Sequence, residues 1–450
     1  MLHKGSAVGI EIKETIMFKL GCAEEMLEVP LFAELYGYGP FADRKNLGVV
    51  EPLYCRAYSF NDGSRRALMI YTDICTTCDA FAREMRMRLA TEYKYDPEAI
   101  SFIATHTHSA PALSNAYASS SGIAHDGFIE LWKETVMRVA KAAKANEEEI
   151  AEAFCGKAPL DEPIGKNRVE VETNPTDPAI RWVKFMRPDG TTKVLLHNHG
   201  VHGIASNGPF YKYVSSDWMG IANRLIKERH LADMPFFLLG PAGNINTSES
   251  VHSTGDKNSP LNLANRYVDY LEHDLQNGKK LELGNITCRL KSFEFPTIKQ
   301  TAEELQADAE TFRSFNQPYW NFNATRLDEM ALMLKRGDDL SEWHDLQILR
   351  IGELEFFFVP GELYIEPGLE LLEKAGGKSP LVATVSNGNG TYFFTEHTAR
   401  MYPDVSSKNA KRLFGFYEIF GYMHRHAFRY QPTIASFLVN SFLKLRDNLM

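Results

Sequence analysis

Five apolar runs in this chain end in the same manner. "SFIATHTHSAP" (101–111) closes on two histidines one residue apart, and "KVLLHNHGVHG" (193–203) closes on three. "MPFFLLGPAGNIN" (234–246) runs into a Gly-Pro-Ala-Gly turn, "LEFFFVPGELY" (354–364) into Pro-Gly-Glu, and "PLVATVSNGNGTYFF" (380–394) into a glycine-rich loop. Short apolar runs bounded by Gly, Pro and Asn read as buried strands. The run at Ser101–Thr105 reads as a strand following a helix that ends near Tyr95. Side chains alternate along a strand, so His106 and His108 should point the same way. Pro111 stops the ladder. Five strands with polar or metal-capable ends imply one shared crevice at a sheet edge, the usual place for ligands in α/β layouts.

Between these runs, "VVEPLYCRAYSFNDGSRRALMIYTD" (49–73) alternates around an Asn-Asp-Gly turn and predicts a hairpin. Residues 78–95, 126–146, 301–336 and 431–447 have helical spacing of apolar positions. The tail helix lacks a basic polar face, so packing on the core is its expected use rather than membrane contact. There is no internal repeat and no low-complexity linker.

Composition narrows the function classes. The chain has 450 residues, 44% hydrophobic and 24% charged, an ordinary globular balance. A net charge of -9 without a basic block argues against nucleic acid as a partner. No apolar stretch approaches the ~20 residues that span a bilayer. The start, "MLHKGSAVGIEIK", lacks the apolar core of a secretory signal, so the expected location is cytoplasmic, or exported if a leader was removed. Cys75 and Cys78 form a CxxC with no second pair for a zinc site, and read as buried small residues near a helix start.

The strand ends collect a particular chemistry. His106 and His108, then His197, His199 and His202 with Asp217 soon after, then Glu362 and Tyr392, are the candidates. Histidines and a carboxylate from separate strands are zinc ligands by type, and two histidines plus one carboxylate with an open position is the catalytic version. A zinc ion so held lowers the pKa of water and polarises a carbonyl. The ligand positions are far apart, and no HExxH-type motif fixes them.

"YGYG", "VVEPLYCRAYSF", "IYTD", "THTHSAP", "KNR" at 166–168, "HNHGVHG" with "VSSDWMG", "GPAGN", "VPGE", "SNGNGTYFFT" and "YE" at 417–418 occur in an order that resembles the neutral/alkaline non-lysosomal ceramidase family. The likeness spans nearly the whole chain. It implies an α/β (α+β) fold of mixed β-sheets flanked by helices. It also implies a single catalytic domain over 1–450, with a helical segment at about 301–336 and without the family's C-terminal immunoglobulin-like domain. By position, the resemblance makes His106, His202, Glu362 and Tyr392 the Zn²⁺ ligands. Asn198 four residues before His202 fits the family's Asn-x-x-x-His pattern, with His199 as the rival ligand. His108 and Arg168 would contact substrate. His197 and His199 then read as supporting positions, and Asp217 as either an orienter of a ligand histidine or a helix N-cap.

One position departs from the family. Its Gly-Asn-apolar-Ser element aligns with Gly243-Asn244-Ile245-Asn246, so Asn246 stands where the family has a serine. The resulting expectation is a zinc-dependent hydrolase of an amide or ester in a small or lipid-like acyl substrate, with Asn246 in the site and weak or absent turnover of ceramide itself. The competing readings are a non-catalytic metal-containing binding protein and a zinc hydrolase of a lactone or phosphoester. Oligomeric state is left open by the sequence.

Overall fold

The computed structural model describes residues 17–38, 44–113, 124–405, 413–421 and 427–449. Residues 1–13, which bear on a leader, lie outside them, as does Gly39 of "YGYG". The described residues form three larger mixed sheets and two two-stranded ones, with helices against them. This is the expected fold class.

The first sheet runs in the order Ile100–Ala104, Arg66–Thr72, Leu53–Asn61, Lys19–Leu27, Glu148–Glu149. The predicted hairpin is there, with Leu53–Asn61 antiparallel to Arg66–Thr72. Its turn is held by Asp62, whose Oδ1 accepts from the backbone of Ser64 and Arg65. Helices Asp79–Tyr93 and Asp126–Ala145 pack against this sheet. The second sheet runs Met234–Leu239, Thr192–His199, Ala179–Met186, Glu152–Pro159, Lys279–Leu281, beside helices Asp217–Glu228 and Ser259–Asp274. The third runs Ile286–Glu294, Trp343–Ile351, Leu354–Phe358, Ser379–Ala383.

Each larger sheet ends in one parallel pair. These are Arg66–Thr72 with Ile100–Ala104, Thr192–His199 with Met234–Leu239, and Leu354–Phe358 with Ser379–Ala383. The five apolar runs are five of these six strands. Parallel strands are covered on both faces, which is why they read as continuous apolar runs rather than alternations. In the third sheet the two faces even serve different cores. Phe356, Phe358 and Leu381 join one cluster, while Phe357, Val359 and Val382 join the other.

Hydrogen bonds from the Asn198 side chain and from the backbone knit the three pairs together near their C-terminal ends. The Asn198 amide donates to the carbonyls of Leu238 and Val382, 3.0 and 2.9 Å away. Thr384 N–H donates to Leu239 O (2.8 Å), and Asn387 N–H donates to Phe102 O (2.8 Å). The predicted shared crevice is the product of these links.

Two sequence expectations need correction. The strand at 101–105 is Ile100–Ala104, and His106 leaves it with φ 66°. Strand alternation therefore does not align His106 with His108. The helical segment 301–336 is two helices, Ala302–Ser314 and Pro318–Arg336. The break lies at Asn316 (φ 50°) and Pro318, because proline cannot continue the preceding helix. The tail helix, Ile434–Asp447, buries Leu438, Val439 and Phe442 in the second core, as its amphipathic pattern implies. No described helix is long and apolar enough to cross a membrane.

Candidate functional site

His106, His202 and Glu362 come together although 96 and 160 residues separate them in sequence. Glu362 Oε2 lies 3.1 Å from His202 Nε2 and 3.3 Å from His106 Nε2. One ligand atom from each of the three lies within 4.8 Å of the others. All three side chains are largely buried.

The backbone fixes both imidazoles. His106 Nδ1 donates to Cys75 O at 2.7 Å, and His202 Nδ1 donates to Ile245 O at 2.9 Å. In a neutral ring, a nitrogen that donates to a carbonyl leaves the other with a lone pair, as at His202. Both Nε2 atoms therefore face Glu362. His202 Nε2 and Glu362 Oε2 make no hydrogen bond despite their separation of 3.1 Å. Burial resists charge on Glu362, but His106 and His202 outweigh it and hold the carboxyl well below the usual carboxylate range. Burial and the Arg168 cation push His202 down to about 4. Burial also opposes charge on His106, yet Cys75 and Glu362 raise its pKa well above the usual imidazole value.

His108 lies beside this group, its Nε2 3.2 Å from His106 Nε2. The loop carrying it is zipped to the loop carrying His202, with His108 N–H donating to Gly203 O at 3.0 Å. Its Nδ1 is buried and makes no hydrogen bond. Burial, then His106 and His202, hold its pKa well below the usual value, so the ring is neutral. Gly37 (φ 119°) lets the backbone approach it, since a Cβ there would sit 2.6 Å from His108 Cγ. His106, His108 and Glu362 line a small cavity with Tyr36, Asn389, Tyr392 and Tyr417.

Tyr392 enters through the short parallel pair of Glu362–Leu363 with Tyr392–Phe393, which sets it directly opposite Glu362. Its hydroxyl oxygen accepts from the Tyr417 hydroxyl. Burial and the Glu362 carboxylate raise its pKa well above the usual phenol value. Arg168 is buried against the rings of Tyr392 and Tyr417, 5.4 and 5.7 Å from their centres. Its donors go to Glu418 Oε1 (3.0 Å), Asn246 Oδ1 (3.1 Å) and Gly243 O (2.8 Å). Arg168 thus braces the tyrosine pair, and Asn246 is one of its acceptors.

The remaining candidates sit elsewhere. His197 is saturated by Tyr267 Oη and Asn223 Oδ1, each at 3.0 Å. His199 Nδ1 faces Ala179 O at 3.2 Å and Asp177 at 3.6 Å. Asp217 opens helix Asp217–Glu228 and accepts from the N–H groups of Ala205 and Ser206. It braces the loop after His202 without touching the histidine. Cys78 and Cys75 are buried at the start of helix Asp79–Tyr93, as expected. What the sequence did not reveal is that Cys75 lines the cavity, with Sγ 3.6 Å from His106 Nδ1. Tyr36 and Tyr417 were visible only as family motif residues without a chemical role.

A buried two-histidine, one-carboxylate group at converging strand ends, with a neutral third histidine and a phenol beside it, is a donor set that could hold a metal ion. Residues 28–237 match the family model described as neutral/alkaline non-lysosomal ceramidase, N-terminal, which bears out the family resemblance across that segment. The structure of neutral ceramidase from Pseudomonas aeruginosa superposes with a TM-score of 0.74 at 17% identity, covering 97% of this chain and 75% of that one. A ceramidase complexed with C2 gives a TM-score of 0.66 at 15% identity, covering 96% and 76%. The chain therefore has the neutral ceramidase fold. No curated protein matches it significantly.

Proposed function

We propose that the protein is a zinc-dependent hydrolase of acyl amides or esters, with a small or lipid-like acyl compound as the substrate class. The ion would be held by His106, His202 and Glu362, with Tyr392 as fourth ligand. The observation that carries this reading is the pair of facing acceptors. His202 Nε2 and Glu362 Oε2 are both unpartnered and lie 3.1 Å apart. Two bare acceptors so close repel each other unless a proton or a metal cation lies between them, and a cation also draws in the second imidazole. Two imidazoles and a carboxylate around one point suit zinc. When bound, such an ion supplies Lewis acidity toward a carbonyl and acidifies water toward neutral pH.

The chain's own residues do the rest. His108 lines the cavity as a neutral ring, so it can take up a proton there. Tyr417 fixes the Tyr392 hydroxyl, and Arg168 holds both rings. The family match and the fold of the two ceramidases support the amide bond and the lipid-like substrate.

Elemental analysis of protein purified without chelator should give near one equivalent of zinc. Chelation should abolish hydrolysis in a panel of acyl-amide, ester and phosphoester chromogens, and zinc should restore it. Full activity of metal-free protein would overturn the reading. Zinc binding with no turnover of any bond would favour a binding protein.

A further inference from the structure

The loop that delivers Tyr392 is held in conformations its residues resist. Val385 (φ 51°), Asn387 (φ 65°) and Thr391 (φ 61°) all lie in the left-handed region. Two of these residues are β-branched, for which that region is a genuine outlier. Each is strained and persists only where the surroundings enforce it.

A buried charged group lies directly behind this loop. His344 Nδ1 is 3.0 Å from Asp79 Oδ1, and His344 Nε2 is 3.0 Å from Glu342 Oε1. Asp79 Oδ2 accepts from Asn389 N–H at 3.2 Å. There is no slack between cluster and loop. A Cβ on Gly388 would lie 2.3 Å from Asp79 Oδ1, and one on Gly390 would lie 3.1 Å from His344 Nε2. From Asn389 the contacts reach the cavity. Its Oδ1 accepts from Thr391 N–H at 3.3 Å, and Thr391 O accepts from Glu362 N–H at 2.6 Å. None of Asp79, His344 and Glu342 lines the cavity itself.

We propose that Asp79, His344 and Glu342 are positioning residues, a carboxylate–imidazole–carboxylate clamp that holds the 387–391 loop and thereby sets Tyr392 against Glu362. The charge state agrees with the geometry. Burial opposes a charge on His344, but the two carboxylates, Asp79 first, push its pKa up to about 10, so both ring nitrogens carry protons to donate. The clamp stands on the loop's geometry, and only the kinetic part of its test rests on the hydrolase reading.

The test compares Asp79→Asn, His344→Leu and His344→Gln with wild type at matched zinc occupancy. Hydrogen exchange should quicken at 387–393 and stay as in wild type at 100–108 and 192–203. Turnover of an acyl-amide chromogen should show kcat lowered about 10–100-fold in His344→Leu with KM little changed, the range seen when a group behind an active-site ligand is removed. His344→Gln, which keeps one hydrogen bond, should recover part of the loss. If wild type cleaves no substrate but the exchange pattern appears, the hydrolase reading fails and the clamp stands. If Asp79→Asn and His344→Gln leave loop exchange at the wild-type rate, or raise it evenly across the chain, the clamp is refuted.

Discussion

The segment His197–His202 holds two kinds of buried histidine a few residues apart. His197 lies within strand Thr192–His199 and gives both ring nitrogens to protein partners, Tyr267 and Asn223. His202 lies beyond the strand end, is as deeply buried, and has one nitrogen committed and the other bare. Burial is equal, so burial does not mark the working residue. Uncommitted valence does. Protein interiors satisfy nearly all buried polar groups. A bare Nε2 facing a bare carboxylate oxygen is therefore an exception that asks for a ligand, whereas His197 is a finished hydrogen-bond network that asks for none.

The widest separation between the two kinds should appear in metal content. His202→Ala or Glu362→Gln removes one of the four proposed donors and should take zinc from near one equivalent to near none, with hydrolysis lost alongside it. His199→Ala, on the same segment, should leave zinc content intact, because that ring faces Ala179 and Asp177. Elemental analysis of the three variants decides the matter. Loss of zinc in His199→Ala with retention in His202→Ala would reverse the assignment.

The next effect is on stability and runs the other way. His197→Ala leaves a cavity and strips partners from the Tyr267 hydroxyl and the Asn223 amide oxygen. The expected cost is about 3 kcal/mol, read as a lowered denaturation midpoint, with zinc stoichiometry unchanged. Zinc loss at native stability would erase the distinction between the two histidines.

Acid should sharpen the comparison further. Burial pushes His197 down to about 3 from an ordinary value of 6.5. The unfolded chain therefore takes up the proton first. The neutral ring's contribution is fully present above pH 6.5 and is lost as pH falls toward 3. In that window wild type should lose up to about 1.4 kcal/mol per pH unit through this group. His197→Gln, which has no titrating ring, should show a shallower acid slope by that amount. Parallel slopes in denaturant titrations across the window would show that the ring is already protonated in the fold.

How much of this was legible in the sequence follows from the same distinction. The five apolar runs showed five strands of the parallel pairs, though not their pairing, because strands covered on both faces have no polar alternation to hide them. Their C-terminal residues showed the crevice. His106 and His108 do lie side by side, with Nε2 atoms 3.2 Å apart, but not through strand alternation, because His106 leaves the strand in a left-handed conformation that no periodicity announces. Choosing His202 over His199 needed the family's Asn-x-x-x-His pattern. The structure adds a physical account, since Asn198 ties the strand ends together through Leu238 and Val382. Cys75 was invisible as a cavity residue, because a CxxC says nothing about which wall its first thiol faces. The internal engagement of Arg168 by Glu418 was likewise unreadable across 250 residues.

The smallest expected effect concerns Asn246, where the family has a serine. Its Oδ1 accepts from Arg168 Nη1 at 3.1 Å, and its backbone pairs with Lys166 in the short strand Ile245–Thr247. An amide can hold this bond, but it has no hydroxyl to act as nucleophile or to relay a proton. Asn246→Ser shortens the side chain and loses the contact with Arg168, which is worth about 1 kcal/mol, so the brace on Tyr392 and Tyr417 should loosen slightly. Zinc content should not change. If the asparagine substitutes for the serine only as a hydrogen-bonding group, small acyl substrates will be cleaved by wild type, and Asn246→Ser will alter their turnover within about tenfold. Ceramide analogues should be poor substrates of wild type and improve in Asn246→Ser, because the variant regains the family's hydroxyl. Turnover of both substrate classes at matched zinc occupancy separates these effects. Strong wild-type turnover of the ceramide analogue, unmoved by the substitution, would show that this position tunes Arg168 and nothing in the chemistry.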